Sequence, residues 1–461
     1  MAELRKDNLS FFEALGQSIS SLSPTFTPAL GVAVVGGMAG TAAWFVYFCA
    51  MIGILIVALN IGELAKRMPS AGSFLIYVSR TLGPAFGMLA GWAMLVAYLF
   101  TSVALTVATS MFFKLLIGAL GVTFVIPNVV LYALISVGLW VLAYRDIKFS
   151  TQLGLSLEIV SVTMILIVCA VVWSKFHFEI DPAQVHFKGA TFATAAPAIV
   201  FAIFSWVGVE SAATLGNETK NPTVIIPRVI VASTIFSGLF FTATTAVICM
   251  GFGDDASKLG NSSAPLNDIT SGFGSWVTLL IYIGAFISCF ACSLGQLNAF
   301  GRILYSLGRY QFVHKSMGFI HTSHRTPHIA LTIGAIANGL LCIAFVSAGE
   351  INLVGYFGTI ATFGFITVYF LCSICAPILL HREGTAKPMN YILGTLGGIA
   401  MLLAFVGSVY PVPAAPYNYF PYGFVVYMLV GVAWFFGLKA RMPQVILDIE
   451  REIDSMSLST K

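Results

Sequence analysis

The 461-residue chain is 58% hydrophobic and 9% charged, with a mean hydropathy of +0.92, a balance that excludes a soluble globular protein. Its formal net charge of +4 follows from the placement of loop residues and gives no reason to expect a nucleic-acid partner. The chain reads as an all-α integral membrane protein.

Apolar runs long enough to cross a bilayer, at about 1.5 Å of rise per residue, are expected at 13–36, 40–62, 84–113, 124–143, 150–173, 193–215, 225–250, 272–304, 327–346, 352–380, 389–410 and 421–438. That pattern predicts twelve transmembrane helices. No charged segment followed by a short apolar core and a small-residue cleavage site opens the chain, so the first run is expected to be retained. Within it, LGQSISSLSPTFTPALG gathers Ser18, Ser20, Ser21, Ser23, Pro24, Thr25, Thr27 and Pro28 near mid-membrane. Two prolines so close together remove amide donors and clash with the preceding turn, which predicts a broken helix lining a cavity.

The fifth run carries Glu158, with no lysine between Lys148 and Lys175. The sixth, FAIFSWVGVESAATLGNE from Phe201 to Glu218, is interrupted at Ser205–Gly208 and carries Glu210. Glycine lets the backbone leave helical geometry, and an acidic side chain in the bilayer costs about 2.5 to 3.5 kcal/mol, so such a residue marks a site or a pathway. Burial favours the neutral form of a carboxyl group, which suits a proton carrier. Cys289 and Cys292 in the eighth run, and Cys372 and Cys375 in the tenth, are spaced one helical turn apart and read as small packing residues. His314, His321, His324 and His328 fall in one loop and are expected to be solvated, with no metal bound.

With the N terminus inside, only Lys114, Lys175, Lys188 and Lys258 fall outside, and all other lysines and arginines are cytoplasmic. Both termini are then cytoplasmic, in a multi-pass protein of the cell (inner or plasma) membrane. The two breaks lie five helices apart, and an odd number of spans inverts the second copy, the architecture of transporters built from inverted repeats. The expected organisation is an N-terminal tail (1–12), a first repeat (13–173), a second repeat (193–380), two peripheral helices (389–438) and a C-terminal tail (439–461).

Four blocks also carry a resemblance. FSWVGVESAATLGNETKNPTVIIPRVI (Phe204–Ile230), ELAKRMPSAGSFLIYVSRTLGPAFGMLAGW (Glu63–Trp92), SLGQLNAFGRILYSLGRY (Ser293–Tyr310) and HRTPHIAL (His324–Leu331) resemble, in order and spacing, the amino acid, polyamine and organocation (APC) transporter family. The resemblance implies a leucine-transporter-type fold working by alternating access. It also implies that the two unwound segments, Ser20, Ser21, Leu22, Ser23, Pro24, Thr25 and Phe204, Ser205, Trp206, Val207, Gly208, bind the amino and carboxyl groups of an amino acid. Tyr98, Phe204 and Trp206 are expected near its side chain. Half-helix ends give an independent warrant, because a positive N-terminal end attracts a carboxylate and free carbonyls at a C-terminal end accept from an ammonium. The chain departs from the family where SLSP replaces a glycine-serine-glycine core, and where GRYQFVH lacks an acidic residue and a proline.

Glu210 and Glu158 are the candidates for proton coupling. Ser288, with carbonyls near Ser21–Ser23, is the candidate for a sodium site. Exchange driven by a substrate gradient needs neither, and no cofactor is expected. An ion channel lacks a visible filter motif, and a membrane enzyme lacks a catalytic set at one depth. The expected function is secondary transport of a neutral amino acid, with a polyamine or other organocation as the alternative substrate. Membrane lipid is the surrounding partner, and the protein is expected to be a monomer or homodimer.

Overall fold

The computed structural model describes residues 4–6, 8–122, 124, 126–187, 191–262, 264–270, 272–410, 412–441 and 443–444. Lys188 and residues 445–461 of the expected C-terminal tail lie outside them. In chain order the helices are α1 (Phe11–Ser20), α2 (Val32–Ala39), α3 (Ala43–Arg67), α4 (Phe74–Leu82), α5 (Pro84–Ala119), α6 (Asn128–Arg145), α7 (Ile147–Ser174), α8 (Pro182–Val185) and α9 (Phe192–Ile203). They continue with α10 (Pro222–Gly251), α11 (Ala256–Gly260), α12 (Pro265–Ile269), α13 (Ser275–Arg309), α14 (His328–Ala344), α15 (Glu350–Arg382), α16 (Pro388–Val409) and α17 (Phe420–Arg441). Among the described residues the only β feature is an isolated parallel bridge between Leu9 and Thr219.

Nine helical runs among the described residues are long and apolar enough to cross a membrane, against the twelve predicted from the sequence. The difference has a local cause at each place. The first predicted run stops as a helix at Ser20, and its remainder joins the second in a continuous run, Thr27–Arg67. Gly40, at φ +54°, and a tight turn at Gly40–Ala42 divide that run into α2 and α3. The sixth and ninth predicted runs appear as the shorter apolar helices Phe201–Leu215 and His328–Ala344.

The sequence did not predict α4, whose nine residues are too few for a span. It packs against α5 after a glycine turn, Gly83 at φ +96°, followed by Pro84 at the first position of α5. The partly exposed loop histidines His321, His324 and His328 gather with Tyr144, mostly edge-on, with ring centroids 4.7 to 6.2 Å apart.

Helices α5 and α13 run together through the centre of the bundle, each packed with small residues that let backbones approach. A buried hydroxyl and amide network joins them to α6 and α14. Ser102 and Thr106 meet the Ser293 hydroxyl at 3.0 and 2.8 Å, and the Asn338 amide donates to Thr106 (2.9 Å) and Ser136 (3.1 Å). The outer faces of α6, α16 and α17 expose leucine, isoleucine and valine, as a lipid-facing surface does.

Candidate functional site

The first break is built from serine and proline. After α1 the amides of Ser21, Leu22 and Ser23 turn back to the carbonyls of Gln17, Ile19 and Ser20 at 3.1 to 3.2 Å. Ser23 then takes a left-handed conformation, φ +49°, ahead of Pro24. The chain resumes as a wide π-helical turn at Thr27–Gly31 that leads into α2. The second break begins where α9 gives way to a single tight turn, Phe204–Trp206. Val207 is extended, Gly208 sits at φ +95°, and Val209–Leu215 continues with 3-10 geometry.

The two breaks meet. The Ser18 hydroxyl donates to the Val209 carbonyl, and the Ser211 hydroxyl donates to the Gln17 carbonyl at 3.2 Å. From α13, the Gln296 amide donates to the Ser21 carbonyl (2.8 Å), while the Gln17 amide donates to the Gly295 carbonyl (2.7 Å). Gly208 is required here on two counts. Its φ strains any residue with a side chain, and a Cβ would lie 2.7 Å from the Ser21 carbonyl oxygen. Strain of this kind costs about 1 to 3 kcal/mol. Gly208→Ala is therefore expected to lower the melting temperature and to reduce substrate binding, measured together on the purified protein.

Ser20, Ser21, Leu22, Ser23, Pro24 and Thr25 are all buried at the first break. Phe204, Ser205 and Val207 are half-buried at the second. Trp206 points elsewhere: its indole N–H donates to the Thr234 carbonyl (3.2 Å) and its ring meets Phe241 edge-on at 5.1 Å. Its ring belongs to the packing between the second break and α10, and only its backbone is part of the break.

The two carboxylates occupy separate polar nests. Glu210 is fully buried; Tyr98 of α5 donates to one of its oxygens (2.9 Å) and Tyr369 of α15 donates to the other. Glu158 of α7, 1% exposed, accepts from Ser161 at 3.0 Å, and the Ser288 hydroxyl lies 2.9 Å from each of its oxygens. Ser288 in turn meets the Ser23 hydroxyl at 3.0 Å. Glu158, considered for the proton, and Ser288, considered for sodium, thus belong to one cluster of oxygens, anchored to the left-handed residue of the first break, while Glu210 stands apart from it.

A fully buried charged pair beside the breaks was missed by sequence reasoning. Arg302 of α13, placed in the sequence among cytoplasmic positive charges, is fully buried. It forms a forked ion pair with Glu218 just beyond the second break, at 2.7 and 3.0 Å, and donates a third bond to the Asn298 carbonyl (3.1 Å). The Glu218 carbonyl accepts from the amides of Asn8 and Leu9 at 2.9 and 3.0 Å, which pins the N-terminal segment to the same place. Tyr369 was also missed. The available signal was a tyrosine in mid-span, whose hydroxyl needs a partner when buried.

This arrangement of broken helices sits in a chain that matches the family model described as "Amino acid permease" over residues 12–443. The chain belongs to the amino acid permease family. Members of that family and the relatives of this chain are transporters, and the protein is a multi-pass membrane transporter rather than an enzyme. It is similar to the low-affinity putrescine importer PlaP of Escherichia coli K12, 27% identical over 70% of this chain and 71% of that one. It is also similar to the branched-chain amino acid permease BcaP of Lactococcus lactis, 26% identical over 93% of each. The serine/threonine exchanger SteT of Bacillus subtilis is 24% identical over 77% of this chain and 79% of that one. A solved manganese transporter of Eremococcus coleocola covers 97% of this amino acid permease family member and 98% of itself, with a TM-score of 0.56 at 10% identity, a likeness of fold.

Proposed function

We propose that this protein carries a neutral amino acid across the cell membrane by alternating access. Its twelve spans would form a five-plus-five inverted repeat with α16 and α17 peripheral, both termini being cytoplasmic. The meeting of the two broken helices carries this reading. The end of α1 presents carbonyls, the tight turns at Val209–Leu215 begin beside Gly208, and these opposite ends suit an ammonium and a carboxylate together. Ser20–Thr25 and Phe204–Gly208 would hold the substrate backbone, with Phe204 and Tyr98 near its side chain.

A polyamine substrate is the second reading, favoured by the relative named as a putrescine importer and by the buried Glu210. Both oxygens of Glu210 are engaged by tyrosine hydroxyls, and a dication would have to displace them, which favours the neutral amino acid. For coupling, Glu158 is the proton carrier we favour, because its cluster touches the first break. The same oxygens could coordinate sodium, and exchange needs no ion. Monomer or homodimer both suit this reading.

Purified protein in liposomes, tested against a panel of labelled amino acids and putrescine with and without a sodium or pH gradient, reads substrate and coupling together. Accumulation of neutral amino acids under a pH gradient is expected. Uptake of putrescine with no amino acid competing would overturn the proposal.

A further inference from the structure

A cavity of about 480 Å³ opens between the distal ends of α5, α13 and α15, beside Ala29, four residues past the first break. That volume is within the usual range for small-molecule sites. Neither Gly208 nor the two nested carboxylates line it, and on the expected topology it faces outward, since it is bordered by Leu115 just past Lys114. Its walls are largely apolar: Met111, Phe112 and Leu115 from α5, Ile281 from α13 and Ile351 from α15.

Polar residues interrupt those walls: Glu350, Asn352, Asn267 and Tyr282. Glu350 lines the cavity and is ion-paired to Lys114 at 2.7 Å; Lys114 also donates to the Asn128 side chain at 2.8 Å. Asn267 of α12 lines it too, donating its amide to the Tyr282 hydroxyl while its side-chain oxygen is buried without a partner. Buried acceptors are paired in nearly all folded proteins, so an unpaired one in a cavity wall asks for a donor from a ligand.

We infer that this cavity is an outer loading site for zwitterionic amino acids with apolar side chains. The inference rests on the reading of the chain as an amino acid transporter, and names a place where substrate is held before it reaches the broken helices. The Glu350–Lys114 pair can open to give one charged partner to each end of a zwitterion: the carboxylate of Glu350 takes the ammonium and the Lys114 ammonium takes the carboxylate. The net charge of the site stays at zero throughout. A diamine has no group for Lys114 and meets it as a like charge, so the pair selects against polyamines. The apolar walls receive the side chain, and Asn267 offers its free oxygen to a second ammonium hydrogen.

The test uses Ile351→Cys in the full chain in right-side-out liposomes. Ile351 is 58% exposed, and the native cysteines are buried apart from the half-buried Cys49. Labelling by a membrane-impermeant maleimide is followed with L-leucine, L-methionine, leucinol, isovalerate or putrescine present. The two amino acids are expected to slow labelling several-fold, and the three probes lacking one charged end or carrying two like charges are expected to leave it unchanged. Adding Glu350→Gln or Lys114→Met should remove the protection while the ligand-free labelling rate stays the same, which shows that each variant is folded. The exchanged pair, Glu350→Lys with Lys114→Glu, should restore it. Equal protection by putrescine, or none by any amino acid the protein accumulates, overturns the inference. Protection by leucine in a protein that accumulates no amino acid upholds the site and overturns the transport reading instead.

Discussion

Arg302→Met is expected to be the most damaging single substitution in the chain, with most of the protein lost before purification and the remainder melting far below wild type. Removing the guanidinium leaves Glu218 buried with no counter-charge, and breaking a buried pair from one side costs about 3 to 5 kcal/mol. That is a large part of the whole stability of a folded protein, about 5 to 15 kcal/mol. The pair is forked through Nε and Nη2, each partner is 1% exposed or less, and the third guanidinium nitrogen, Nη1, donates to the Asn298 carbonyl, so water has no easy way in to compensate. The double variant Arg302→Met with Glu218→Met removes both charges. It should recover much of the loss, because the cost lies in the orphaned charge rather than in the missing attraction. Fluorescence-detected size exclusion and thermal unfolding in detergent read both effects. A single variant that melts like wild type would show that Glu218 finds another partner.

Glu158→Gln carries the second large effect, on transport rather than on folding. Glutamine keeps the shape and can still bond to Ser288 and Ser161, so the cluster around Ser23 should persist. What is lost is the ability to take up and release a proton. A coupling free energy of 1 to 3 kcal/mol corresponds to a factor of about 5 to 150, and pH-driven accumulation should fall within that range. Counterflow exchange of the same amino acid should remain, because it needs the breaks to open and close but not a proton cycle. Full pH-driven accumulation in Glu158→Gln would move the proton to Glu210, whose carboxylate accepts from Tyr98 and Tyr369. Accumulation that follows sodium in the wild type would make the oxygen cluster a cation site.

Much of this architecture is legible in the sequence, and the physical reason is plain for each part. Apolar length marks the spans, since a bilayer leaves few ways to cross it. Pro24 and Pro28 announce the first interruption because they cannot donate, and Gly208 announces the second because only glycine sits easily at its φ. The nine residues of α4 are too short to register as a span, and only contact with α5 shows where they belong. The pairings across the bundle are equally hidden. Glu158 and Ser288 are 130 residues apart, and Arg302 and Glu218 are 84 apart. Nothing in either local stretch says which distant side chain will face it. Trp206 illustrates the opposite limit: a residue in the right segment can turn its ring toward the packing, and the turn geometry that decides this depends on three residues whose conformations must be known together.

The pinned N-terminal segment alters what counts as a part of this molecule. Lys220 donates its amide to the Leu9 carbonyl at 2.8 Å, completing with Asn8 and Leu9 a short ladder over the stretch that follows the second broken helix. Covalently, Leu9 opens the first half of the protein; mechanically, it is riveted to the second. A tilt of the first broken helix that carried Leu9 with it would break these three bonds, whereas a tilt shared by both broken helices would leave them whole, so Asn8 and Leu9 tie the start of the chain to the stretch after the second break.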